Sequence, residues 1–106
     1  MGGMDPLYAS ARWLVKAGRE SAFVAAWSDF AQWTGRTQSG AGTGVLLQDL
    51  STPNSFLSFG SWNSESALQA WRQAPEFQAF FRKARDLCED IQPATLSVAA
   101  ISAAPD

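Results

Sequence analysis

The sequence predicts an α+β domain whose four-stranded antiparallel sheet carries its helices on one face. Three observations favour this fold. Four segments alternate as strands do, two regions repeat apolar residues every three or four positions as helices do, and the order is strand, helix, strand, strand, broken helix, strand. This is the order of the split βαβ arrangement, in which the helices pack on one side of the sheet.

The first strand and the first helix are predicted on either side of an Ala-Gly turn. Residues 8–16 alternate, so Trp13 and Val15 share one face of the strand. Residues 19–34 then place aromatic and apolar side chains along one broad arc of a helix, and Gly35 is predicted to end it.

A glycine-rich segment follows the first helix and is predicted to be a flexible loop. Gly40, Gly42 and Gly44 resemble a phosphate-binding loop in composition, but such a loop follows a strand and opens a helix, and here the order is reversed. Residues 45–50 and 55–62 are predicted to be two strands, and the turn-forming residues between them favour an antiparallel hairpin.

The second helical region is predicted in two parts, because Pro75 interrupts it and can occupy the first position of a new helix. The first part covers residues 64–73. The second part continues with Cys88 among its inward positions until Pro93 closes it, and residues 94–101 form the last predicted strand.

All these elements are predicted to form one domain over residues 8–102. Residues 1–7 are expected to be a loose N-terminal tail, and residues 103–106 a C-terminal tail. With 106 residues, the chain is long enough to bury a core without disulfides or a metal ion.

The composition argues against several classes of partner. Eight basic and ten acidic residues are spread along the chain, which leaves no basic stripe for nucleic acid. No apolar run approaches the roughly 20 residues that span a bilayer, so no membrane association is expected. The single cysteine, Cys88, cannot form an internal disulfide, and no leader of secretory type is recognisable, so a cytoplasmic location is expected.

Both faces of the predicted sheet are apolar. In the third strand, Leu57 and Phe59 point to one face, and Phe56 and Trp62 point to the other. The helices can cover only one face, and charged residues make up only 17% of the chain. The second face is therefore expected to pack on the same face of another copy, which predicts a homodimer joined sheet to sheet.

The strand, turn and helix over residues 56–71 meet around Trp62. Asn63 or Ser64 is positioned to cap the helix. Strand ends beside helix N-termini are common places for ligand pockets, where an indole can form a wall or simply fill the core. Because both sheet faces are apolar, the alternation leaves both interpretations of Trp62 open.

Four segments carry a family signal: Lys16-Ala-Gly-Arg-Glu, Phe23 to Trp27, Gly44-Val-Leu-Leu-Gln-Asp and, most specific, Phe59-Gly-Ser-Trp-Asn-Ser-Glu-Ser-Ala-Leu-Gln-Ala-Trp. They resemble the antibiotic biosynthesis monooxygenase-like family. The resemblance implies a ferredoxin-like subunit that pairs into a dimeric α/β barrel. Family members include oxygenases of polycyclic phenols or quinols, haem-degrading enzymes and proteins with no known activity. The haem-degrading branch uses a histidine as iron ligand, and this chain has no histidine, so haem degradation is not expected.

The resemblance implies oxygenation of an aromatic substrate by dioxygen with no cofactor and no metal. A bound phenolate or hydroquinone anion can itself give an electron to dioxygen, so the protein needs only apolar walls and a few hydrogen-bond donors. By residue type and by the family's pattern, Trp62 is expected to stack on or hydrogen-bond the substrate. Asn63 and Tyr8 are expected to donate to a developing oxyanion, and Arg72 or Arg82 to stabilise negative charge.

The predicted function is thus a cofactor-free monooxygenase that oxidises a planar aromatic phenol or quinol in a pocket between sheet and helices. Each candidate residue also has a structural interpretation, with Asn63 as a helix cap and both arginines on solvated helix faces. The alternative function is a non-catalytic dimeric domain that binds a ligand or another protein.

Overall fold

The sheet has the strand order β2-β3-β1-β4, and all neighbouring strands are antiparallel. The structure is a computed structural model that describes residues 7–102. Its elements are β1 (Leu7–Val15), α1 (Glu20–Thr37), β2 (Ala41–Gln48), β3 (Ser55–Trp62), α2 (Glu65–Gln73), α3 (Pro75–Leu87) and β4 (Cys88–Ser97). The α+β, ferredoxin-like fold class predicted from the sequence is confirmed.

Local sequence signals set where the helices begin. Gly18 precedes α1 with a φ of 87°, a conformation that other residues rarely adopt. Ser64 caps α2, because its Oγ accepts a hydrogen bond of 3.1 Å from the Ala67 N–H. Pro75 lies in the first turn of α3, where its missing N–H leaves no hydrogen bond unmade. Of the two predicted caps, Ser64 is the one that caps α2.

The boundary between α3 and β4 differs from the prediction. The helix ends at Leu87, so the residues predicted to continue it belong to β4, which begins at Cys88. The Lys16 N–H donates a hydrogen bond of 2.9 Å to the Leu87 carbonyl, and β4 pairs along the whole length of β1. A longer helix would leave that edge of β1 unpaired. Pro93 fits within β4 because β4 is an edge strand.

The glycine-rich segment is the second difference. Helix α1 continues past Gly35, and β2 begins at Ala41, so Gly42 and Gly44 belong to a strand instead of a loop. Gly44 lies directly opposite Gly60 of β3. A Cβ added to Gly60 would come within 3.4 Å of the Gly44 Cα, so the two strands approach closely where both residues lack a side chain.

The core lies between the helices and one face of the sheet. Its largest buried members are Trp13 and Phe56 from the sheet and Phe23, Phe80 and Leu87 from the helices. Trp62 shares the sheet face of Phe56 and is only 3% exposed. The structure therefore puts Trp62 under the helices, which decides the point that the alternation of apolar residues left open.

The opposite face of the sheet carries many apolar residues, as the sequence predicts, with Arg12 and Gln92 paired among them. In the strand register, Val45 is paired with Phe59 and Leu47 with Leu57, and these positions alternate with those that face the helices. Across the sheet Tyr8 is paired with Leu96. Leu47 is 46% exposed and Leu96 is 48% exposed.

The predicted tails lie outside the described residues, except that Leu7 is the first residue of β1. Within residues 7–102, none of the helices combines the length and apolar character needed to cross a bilayer.

Candidate functional site

A cavity lies beside Trp62, between the sheet and the three helices. Its volume is about 130 Å³. Gly35 and Gly42 line it and are exposed, so the cavity opens where α1 ends and β2 begins. An engineered protein cavity of roughly 150 Å³ can hold a benzene molecule. The enclosed space here therefore accepts about one aromatic ring, and a larger ligand would extend through the opening.

Small residues of the sheet form the floor of the cavity: Ala9, Ala11, Gly44, Ser58 and Gly60. They are neighbours across three strands, since Ala9 and Gly44 both lie opposite Gly60, and Ala11 lies opposite Ser58. Trp13 and Trp62 occupy the same face at either end of this floor. Because these indoles are much larger, they hold the helices away from the sheet, and the space above the small residues stays open.

Aromatic rings form the walls. The rings of Trp62 and Trp71 have centroids 4.8 Å apart, and Trp71 meets Phe77 edge to face at 4.7 Å. Phe30 stacks on Phe80 at 4.3 Å. Each of these rings packs against another ring, so the walls are apolar and aromatic. Such a space suits a planar aromatic ligand better than a branched or strongly polar one.

The polar groups of the cavity are mainly hydrogen-bond donors. The buried Trp13 Nε1–H donates to the Ser58 Oγ at 2.9 Å. No acceptor for the Trp62 indole N–H is present among the described residues. No side-chain nitrogen or oxygen in that part of the chain is both buried and unpaired, so the Trp62 N–H is open to a space that water can enter. It is free to donate to a ligand.

Arg72 is the one charged side chain among the described residues that line the cavity. It is half-buried near the C-terminal end of α2. Its guanidinium supplies a positive charge and several N–H donors. Residues 7–102 contain no cluster of His, Cys, Asp or Glu that could bind a metal ion.

Cys88 is separate from this site. Its side chain is 6% exposed at the start of β4 and does not line the cavity. Burial raises the pKa of the thiol to about 11, and the nearby Lys16 partly opposes this rise. The thiol therefore stays protonated near neutral pH and is a poor nucleophile. The sequence interpretation of Cys88 as a small buried thiol agrees with its position, although it begins a strand and not a helical turn.

The structure brings together two of the five site residues predicted from the sequence. Trp62 and Arg72 both line the cavity. Asn63 is exposed at the end of β3, with its Oδ1 beside Gly40, and it does not line the cavity. Arg82 is exposed on α3 and lies outside the lining as well. Tyr8 is on the opposite sheet face, where it lines an open depression.

Three contributors to the cavity were not predicted from the sequence. Ser58 is the one buried polar residue in the core of the described chain, 7% exposed, and it lies between Phe56 and Trp62 on the same face. A lone hydroxyl in an otherwise apolar strand face was the signal that could have found it. Gly44 and Gly60 were not recognised because their pairing depends on the register of two strands.

The chain matches the family model described as antibiotic biosynthesis monooxygenase over residues 6–83. Three solved structures have the same fold. SnoaB, a cofactor-independent oxygenase from Streptomyces nogalater, superposes with a TM-score of 0.82 at 20% identity, over 97% of this chain and 100% of that chain. PA3566 from Pseudomonas aeruginosa gives 0.79 at 20% identity over 94% and 100%. A conserved protein from Methanosarcina mazei Go1 gives 0.80 at 16% identity over 89% and 93%. None of the curated proteins compared with the chain matches it.

Proposed function

The chain belongs to the antibiotic biosynthesis monooxygenase family, and on that premise we propose that it is a cofactor-independent monooxygenase of a planar aromatic phenol or quinol. The observation that supports this function is the apolar, aromatic-walled cavity beside Trp62. SnoaB, which shares the fold, is a cofactor-independent oxygenase.

The proposed reaction needs an electron-rich substrate and little covalent chemistry from the protein. A phenolate gives an electron to dioxygen, and the resulting oxygen species bonds to an activated ring carbon. One oxygen atom becomes a new carbonyl oxygen. The other leaves as water, with the hydrogen of that carbon and the phenolic proton, so a phenol and dioxygen give a quinone and water. The substrate thus supplies all the electrons that dioxygen takes up.

The side chains of the cavity match these needs. The aromatic walls orient the ring and exclude bulk water, which strengthens every electrostatic contact inside the cavity. The Trp62 N–H donates to the substrate oxygen as negative charge develops there. Arg72, which also lines the cavity, stabilises the phenolate. Since no described lining residue is a carboxylate or a cysteine, the phenolic proton passes to water and not to a general base of the described chain.

The proposed reaction does not depend on the other three predicted site residues, Asn63, Tyr8 and Arg82. Asn63 contacts the ligand only if the ligand extends beyond the cavity to the end of β3. Tyr8 and Arg82 do not line the cavity, so they are not assigned a contact with the reacting ring.

We also propose that the protein is a homodimer joined through the outer sheet face. The face carries apolar residues on all four strands, with Arg12 and Gln92 among them, and Leu47 and Leu96 are about half exposed on the two edge strands. An apolar sheet face of this extent is typical of an interface between identical subunits.

The alternative of a non-catalytic binding domain would be favoured by side chains that fill the space beside Trp62. The cavity of about 130 Å³ at that position supports a site for a small ligand, and catalysis then distinguishes the monooxygenase from a domain that only binds that ligand. The test is oxygen uptake by the purified protein with anthrone-like phenols and menaquinol-like quinols, with no added flavin or metal. We expect oxygen consumption above the spontaneous rate for at least one of these classes. Uptake equal to the protein-free rate across the whole panel would favour the binding domain.

A further inference from the structure

Ser58 is a hydroxyl buried in the cavity floor with one known hydrogen-bond partner. We propose that Ser58, together with Trp62 and Arg72, donates a hydrogen bond to an acceptor oxygen of the ligand, such as a phenolate or a quinone carbonyl oxygen. This inference rests on the proposed function and deepens it, because it names the ionisation state in which the substrate is bound.

The hydrogen bond with Trp13 decides how Ser58 can act. An indole N–H can only donate, so at 2.9 Å the Ser58 Oγ must be the acceptor in this pair. The Ser58 proton is therefore not used by Trp13. No acceptor for it is present among the described residues. Ser58 is 7% exposed and lines the cavity, so its O–H group can donate to a ligand bound there.

The indole also strengthens Ser58 as a donor. Accepting a hydrogen bond polarises a hydroxyl group, and the effect is larger where water is excluded. Trp13 is 3% exposed and contacts the rings of Phe23 and Phe80, so it cannot turn away from Ser58 without disturbing the core. The hydrogen bond from Trp13 thus fixes the position of the Ser58 hydroxyl.

Two other polar side chains of the cavity can only donate. Trp62 offers an N–H, and Arg72 offers N–H groups with a positive charge. No described lining side chain is a carboxylate, which would accept strongly from a phenol O–H. Hydrogen bonds from these donors and from Ser58 to a phenolate oxygen are charge-assisted, so they are stronger than those to a neutral phenol, and a quinone carbonyl accepts them with no proton of its own to donate. The cavity therefore favours the acceptor form of the ligand.

The test uses 4-nitrophenol, a single-ring ligand that binds without being oxidised and changes colour on ionisation. Its affinity is measured across the pH range of its own ionisation, with 4-nitroanisole, which cannot ionise, as the ligand control. The described lining contains no carboxylate, cysteine or histidine, so the pH dependence of the affinity reports the ionisation of the ligand. We expect the phenolate to bind roughly tenfold or more tightly than the phenol. Equal affinity for the two forms overturns the inference.

Matched variants separate Ser58 from Arg72. Ser58→Ala should reduce the phenolate preference by roughly tenfold, and Ser58→Thr, which keeps a hydroxyl, should retain it. Arg72→Gln should weaken the phenolate preference. The preference that remains should be lost when Ser58→Ala is added to Arg72→Gln. If Ser58→Ala does not fold, Ser58→Cys, with a weak donor of similar size, serves in its place. A folded variant without the hydroxyl that keeps the full preference overturns the inference.

These measurements need no oxygen, so they are independent of the proposed activity. A phenolate preference that depends on Ser58 with no oxygen uptake would support the binding site and contradict the monooxygenase. Oxygen uptake with no such preference would support the monooxygenase and contradict the binding role of Ser58.

Discussion

The Trp71 indole N–H donates a hydrogen bond of 3.0 Å to the Thr34 hydroxyl, which joins α2 to α1 at the edge of the cavity. Trp71 is in turn in contact with the rings of Trp62 and Phe77. One hydrogen bond between residues 37 positions apart therefore helps to orient the aromatic wall on which the proposed site depends.

Thr34→Val should destabilise the protein by about 1 kcal/mol, because the shape is kept while the Trp71 N–H loses its acceptor. Urea unfolding measures this. Thr37→Val is the control on the same helix, since the Thr37 hydroxyl is exposed and bonds only to Trp33 of α1 and to the adjacent Gln38. An equal loss in the two variants would contradict a special role for the bond between α1 and α2.

Trp62→Phe should lower oxygen-dependent turnover by about tenfold or more while the protein stays folded, because an aromatic ring is kept and the free N–H is lost. The measurement is initial oxygen uptake at saturating substrate. Trp33→Phe is the matched control, since Trp33 stacks on Phe30 but does not line the cavity. Unchanged turnover in Trp62→Phe would remove its N–H from the mechanism.

Gly44→Ala should weaken ligand binding with little change in stability. The added Cβ would lie 3.7 Å from the Trp27 Cη2 and 3.9 Å from the Phe59 carbonyl oxygen, which are ordinary contacts. The methyl group would therefore fit but would occupy part of the cavity floor. Quenching of tryptophan fluorescence by 4-nitrophenol measures the affinity, and thermal unfolding checks the fold. A variant that binds as tightly as the wild type would show that ligands do not reach the floor.

Gly35→Ala should raise the free energy of unfolding by roughly 0.5 to 1 kcal/mol. Gly35 lies inside α1 with no atom within 4 Å of the position of an added Cβ, so alanine gains helix propensity without a clash. Urea unfolding of the variant and the wild type gives the difference. A loss of stability would mean that α1 does not continue through Gly35.

The buried Cys88 thiol should make stability fall in alkali. In the unfolded chain the thiol ionises with a pKa near 9.0, and in the folded protein burial raises this pKa to about 11. Above the lower value the unfolded state loses its proton while the folded state keeps it, so the free energy of unfolding decreases as the pH rises through this range. Cys88→Ala should show a shallower decrease. Denaturant unfolding below and within the range tests this, and equal slopes would contradict it.

Leu47→Arg should shift the protein from dimer to monomer, because it puts a charge on the proposed interface. Sedimentation at micromolar concentration distinguishes a species of 11.4 kDa from one of twice that mass. Leu50→Arg is the control, since Leu50 is 99% exposed and follows the end of β2. A wild-type protein that sediments only as a monomer would contradict the proposed dimer.

Much of the fold was predictable from local patterns. The alternation around Trp13, the helical spacing of the aromatic residues, Ser64 as a cap and Pro75 as a helix start each depend on residues close together in the chain. The boundaries of β4 and β2 were not, because Cys88 joins a strand only when β1 offers an unpaired edge, and the pairing of Gly44 with Gly60 depends on the register of two strands. Likewise, Trp62 and Arg72 could be named as site residues from their types and from the family resemblance, but Tyr8 could not be excluded from the cavity lining.

The sequence by itself determined the order of strands and helices, the two apolar sheet faces and the absence of histidine. The tertiary structure decided that Trp62 lies under the helices, that Tyr8 lies on the opposite face and that Ser58 meets Trp13 from 45 residues away. The reason is that alternation assigns residues to two faces without saying which one the helices cover. That choice depends on which set of side chains packs better against α1 and α3, and the cavity exists only after this packing leaves small residues between two indoles.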